Sequence, residues 1–104
     1  MDETPVQMVE VTLGFDTFTE SEFISLLGEL DEGLGPDIKK AQRIDVHMDG
    51  QVVVTLQVRC PHANPLPAVA FLAAQLASAF KAIDRRPAVV TFGTVPEALE
   101  ATAT

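Results

Sequence analysis

The sequence predicts an α+β domain of order β-α-β-β-α-β, in which two helices cover one face of a four-stranded antiparallel sheet. Three local signals carry this expectation. Thr19 is followed three residues later by Glu22, the spacing of a helix capping box. Asp49-Gly50 separates two runs of alternating polarity, as in a tight hairpin. Asn64-Pro65 opens a long apolar-periodic stretch with a good N-cap residue and a proline in the first turn, where its missing N–H is harmless.

The first strand is expected over Val6–Leu13, with Val9, Val11 and Leu13 on one face and Gly14 and Asp16 ending it. Phe18 and Phe23 flank the capping box at the positions of a hydrophobic staple, and Glu20 and Glu22 suit the positive end of the helix dipole. The stripe Phe23, Leu26, Leu27, Leu30 and Leu34, with Ile24 beside it, needs a surface to pack on, and Gly33, Gly35 and Pro36 stop the helix. A polar connection, Asp37 to Gln42, leads to the hairpin strands Arg43–Met48 and Gln51–Arg59. Ile44, Val46 and Met48, with Val52, Val54, Leu56 and Val58, are the expected core side.

The second helix should bury Leu66, Val69, Ala73, Leu76, Phe80 and Ile83 and end at Asp84-Arg85-Arg86-Pro87, with two bases beside its negative end. A last strand runs from Ala88 to Val95. The element order resembles the ferredoxin-like sandwich, which implies strands one and three at the sheet centre and two and four at its edges. One domain over residues 1–95 is expected, with residues 96–104 a frayed tail.

The chain has 104 residues, 47% of them apolar and 21% charged, enough for one core. Fifteen acids against seven bases give a net charge of −8, which disfavours direct nucleic-acid binding. No apolar run in the sequence reads as a membrane span, the start Met1-Asp2-Glu3-Thr4-Pro5 has no signal-peptide character, and the lone Cys60 fits a reducing compartment; a cytoplasmic protein without membrane contact is expected.

The sheet face away from the helices is expected to carry Val6, Met8, Glu10, Thr12, Asp45, His47, Val53, Thr55, Gln57 and Arg59. His47 with Glu10 or Asp45 is the one acid–base combination on that face, although alternation alone would put such residues on a solvated surface. Cys60, His62 and His47 offer three soft ligands where a closed zinc site needs four, so neither a metal nor a cofactor is expected. The glycines fit no phosphate-binding loop, and the central strands carry no aromatic residues for RNA stacking.

Asp16, Glu20, Glu22, Glu29, Asp31, Glu32 and Asp37 form an acidic stretch without a base, suited to a solvated helix face or to a basic protein partner. The expected function is therefore a small non-catalytic protein-binding module acting as a homodimer, with Met8, Val53, Thr55, Phe71, Glu29 and Glu32 as interaction residues. Two alternatives remain: a dimeric α/β-barrel-type protein that binds or transforms a small molecule between open sheet faces, and an acidic inhibitor or nucleic-acid mimic that occupies a basic site on an enzyme.

Overall fold

The computed structural model describes residues 6–48 and 50–95. Residue 49 of the hairpin turn and the expected tail, 96–104, lie outside the described residues. Strands β1 (Gln7–Phe15), β2 (Ile38–Val46), β3 (Gln51–Cys60) and β4 (Val89–Val95) form one antiparallel sheet, and helices α1 (Glu20–Gly33) and α2 (Pro65–Ile83) alternate with them in the chain. The strand order is β2-β3-β1-β4, so the two central strands are β1 and β3. Opposed residues in antiparallel strands share a face. Val9, Val11, Leu13 and Phe15 therefore join Val52, Val54, Leu56, Val58 and Cys60 beneath the helices.

Gly14 does not end β1. The strand continues for one more residue because Phe15 faces the core, stacking on Phe18 with ring centroids 4.0 Å apart and meeting the edge of Phe80 at 6.3 Å. The capping box forms as expected: the Thr19 hydroxyl accepts the Glu22 N–H at 3.1 Å, and the Glu22 carboxylate accepts the Thr19 N–H at 2.9 Å. Leu26, Leu30 and Leu34 are buried, whereas Ile24 points outward.

Two alternations carry a different phase from the expected one. In β2, Ile44 opposes Val53 and so lies on the open face, 46% exposed, while Arg43 and Asp45 lie on the helix side. The strand begins at Ile38, inside the stretch expected to be a connection, and a register shift between Ile38 and Lys40 lets both Ile38 and Ala41 pack against the core. An edge strand tolerates this because its helix side is only partly roofed. The Arg43 Nε donates to the Phe18 carbonyl at 2.9 Å, and its guanidinium lies 3.1 Å from Asp45, so a long polar side chain covers the margin of the core.

In α2 the buried stripe is Ala68, Leu72, Leu76 and Ala79, whereas Leu66, expected inside, is 83% exposed. Nearly the whole helix is apolar, so periodicity fixes its rotation poorly. Packing selects the orientation in which two alanines, with minimal side chains, face the core. Asn64 makes no side-chain cap hydrogen bond, and the helix ends on Asp84 in a left-handed conformation, φ 56°.

The bases after α2 are not equivalent. Arg85 reaches across to the start of α1, where its guanidinium meets the Glu22 carboxylate at 2.5 Å, donates to the Thr17 carbonyl and lies over the rings of Phe18 and Phe15, 5.5 and 5.8 Å from their centroids. The hydrogen bond from the Thr19 backbone, followed by the Arg85 contact, holds the Glu22 carboxyl below the usual carboxylate range, against a smaller opposing effect of burial.

Candidate interaction surface

The residues that suggested chemistry are dispersed. His47 lies in the turn after β2, exposed, whereas Glu10 lies toward the other end of the sheet and accepts a hydrogen bond from Gln57 Nε2 at 2.9 Å. With about 3.3 Å of rise per residue, the separation along β3 between these two neighbourhoods is roughly 20 Å. Asp45 occupies the opposite sheet face beside Arg43. No acid–base pair is assembled from His47, Glu10 and Asp45.

Cys60 is fully buried on the core side, with its Sγ 3.9 Å from the Val58 carbonyl, and burial followed by the nearby Asp37 charge pushes its thiol up to about 11. The His62 ring rests against Phe71, centroids 5.5 Å apart. Cys60 and His62 lie at the end of β3 opposite His47, and no group of three metal-ligating side chains converges among the described residues.

The surfaces are more informative. On the open face, register aligns Ile44, Val53, Gly14 and Val89 in one row across the sheet, then Gln42, Thr55, Thr12 and Thr91, then Lys40, Gln57, Glu10 and Gly93. Apolar character is thus concentrated toward one end. Val53 and Thr55 lie on this face as expected and are half-buried, while Met8, opposite Arg59, is only 6% exposed. Phe71, expected to look outward from α2, packs half-buried against the core. Glu29 and Glu32 are exposed on α1, which carries five acids and no base.

The remaining side has the opposite character. Helix α1 packs toward β2 and α2 over β1 and β3, so the helix-facing side of β4 is roofed along one flank only. A groove of about 980 Å³ results, lined by Ala73, Leu76, Ala77 and Phe80 of α2 and by Val90 and Phe92 of β4, with Lys81, Asp84, Arg85 and Arg86 at one end. Sequence reasoning missed this groove because the last strand, Ala88 to Val95, carries nothing that tells an edge from a centre or one face from the other. The exposure of Val90 and Phe92 follows from β4 being an edge.

Helix α2 has one charged residue, Lys81, in 19, and its most apolar 18 residues have a mean hydropathy of 1.6 with 28% of them buried. By length and composition alone it would suffice to cross a membrane, but here its buried stripe lies on the sheet. No protein-family profile, curated protein or solved structure matches this chain.

Proposed function

We propose that the chain is a non-catalytic protein-binding module that works as a homodimer on a ferredoxin-like frame. The strand order β2-β3-β1-β4 with two helices on one face supports the frame, and the dispersal of His47, Glu10, Asp45, Cys60 and His62 supports a binding role over a catalytic one. The carrying observation is the division of charge: α1 presents five acids and no base, whereas α2 and β4 carry a single lysine and border an apolar groove whose charged end, Lys81, Asp84, Arg85 and Arg86, has bases in excess. An acidic flank suits a basic protein partner, and a largely apolar flank suits burial against a like surface. Light scattering at micromolar concentration tests the reading. A particle of about twice 11.2 kDa is expected, and a monomer at 100 μM overturns it.

A further inference from the structure

We infer that two copies of this chain join through β4, edge to edge and antiparallel, with the α2 flanks packing across the same two-fold axis; this rests on the homodimer reading above. The two sheet edges are chemically opposite. Edge strand β2 carries Lys39, Lys40, Arg43 and Asp45 and a register irregularity, the devices that keep an edge from pairing with another chain. Edge strand β4, Val-Val-Thr-Phe-Gly-Thr-Val, has no charge, no proline and five β-branched residues, its first three and last two.

Electrostatics removes the other surfaces. Two α1 faces would bring five acids against five, and the open sheet face carries Glu10, Lys40 and Arg59. The β4 side is the one where two copies, each of net charge −8, meet with no acid from α2 or β4 in the contact; the charged residues of its groove, Lys81, Asp84, Arg85 and Arg86, gather at one end with bases in excess, and antiparallel pairing sets the two such ends apart.

The geometry is self-complementary. Antiparallel pairing centred on Phe92 sets Phe92 of one copy opposite Phe92 of the other and Val90 opposite Thr94, all on the helix side, and each groove is closed by its partner's strand and helix flank. Ala73 and Ala77, the small residues that α2 turns toward the groove, let the two α2 helices approach closely. A strip of seven residues is about 23 Å long. With sheet edge and helix flank together about 20 Å deep, the pair buries on the order of 1,000 Å², the lower bound for a specific interface. The backbone hydrogen bonds of the new ladder add to it.

The test combines two charged variants with amide exchange. Thr91→Lys on β4 and Ala77→Glu on the outer side of α2, both at exposed positions, should each shift the wild-type dimer at 50 μM to a monomer while leaving the far-ultraviolet circular dichroism unchanged. Val53→Lys, on central strand β3 and facing the open side, should remain dimeric. Amides of β4 should be protected in succession in the wild type and only alternately after dilution to monomer. A wild-type dimer whose β4 amides are protected only alternately overturns this interface and leaves the homodimer reading standing. So does a dimer dissociated by Val53→Lys but not by Thr91→Lys. A monomeric wild type overturns both.

Discussion

Replacing Arg85 by alanine should destabilise the domain by an amount that shrinks as the solution is acidified. The Arg85 side chain is 25% exposed, so each of its contacts takes the low end of its usual range. Its charged hydrogen bond to the Thr17 carbonyl contributes about 1–1.5 kcal/mol. The guanidinium over Phe15 and Phe18 adds about 0.5–1 kcal/mol. Together these give about 2 kcal/mol before the Glu22 pair is included. A domain of this size loses roughly 4–8 °C in Tm per kcal/mol, so the midpoint followed by circular dichroism at pH 7 should fall by about 8–16 °C.

The Glu22 contribution is identified by its pH dependence. A carboxyl whose folded pKa is depressed stabilises the fold fully above its unfolded value, about 4.3, and loses that contribution as pH falls through the lower folded value. The gap between wild type and variant should therefore narrow from pH 7 to pH 2.5, yet persist, because the Thr17 carbonyl and the two rings do not titrate. Arg85→Lys, which keeps the charge and loses the planar fork, should lie between them. A fall of less than about 4 °C at pH 7 refutes the tie between the helices, and an equal gap at both pH values removes Glu22 from it.

Two further outcomes follow from burial. Cys60, fully enclosed and with its thiol pushed up to about 11, should resist a chromogenic disulfide reagent at pH 8 until denaturant is added, and rapid stoichiometric labelling without denaturant would contradict its placement. The same raised value means that the thiol's contribution to stability is complete below the unfolded value near 8.5 and is lost as pH rises toward 11. The rotation of α2 is tested by a pair of substitutions read by urea denaturation: Leu72→Ala should cost about 2.5–4 kcal/mol and Leu66→Ala less than about 0.5, and the reverse order would restore the stripe that periodicity suggests.

What could be read from the chain and what could not divides by the range of the interaction responsible. Thr19 and Glu22 announce α1 because the atoms that satisfy each other are three residues apart. The β2–β3 pairing was legible from two runs and the glycine between them, Gly50, at φ 66°. The face of β2 was not, because the irregularity between Ile38 and Lys40 separates the stretch's two apolar residues, Ile38 and Ala41, by three positions and so breaks the period of two, and an edge strand accepts Arg43 on its inner side. Ala68 and Ala79 carried no sign that they, and not Leu66, would meet the core, since alanine fits either environment. Arg85 read as a dipole partner for its own helix, and its actual acceptor, Glu22, is 63 positions away. The groove along β4 has no local signature, because it is created by where the helices stop covering the sheet.

The pairing of the first strand with the last has a consequence for how the chain is made. Met8 pairs with Val95 and Gly14 with Val89, so one whole side of β1 is completed by residues translated roughly 75–90 positions later. At about 5–20 residues per second, the ribosome delivers β4 roughly 4–17 s after β1. A β-hairpin forms in microseconds, so β2 and β3 can pair, and β3 can take β1, long before that delay ends. A sheet of β1, β2 and β3 would have β1 as its free margin for as long as the 29 residues from Cys60 to Val89 take to be translated, roughly 1.5–6 s at the same rate. Until β4 arrives that margin is an unpaired edge, and a chaperone that assists the nascent chain has it to cover.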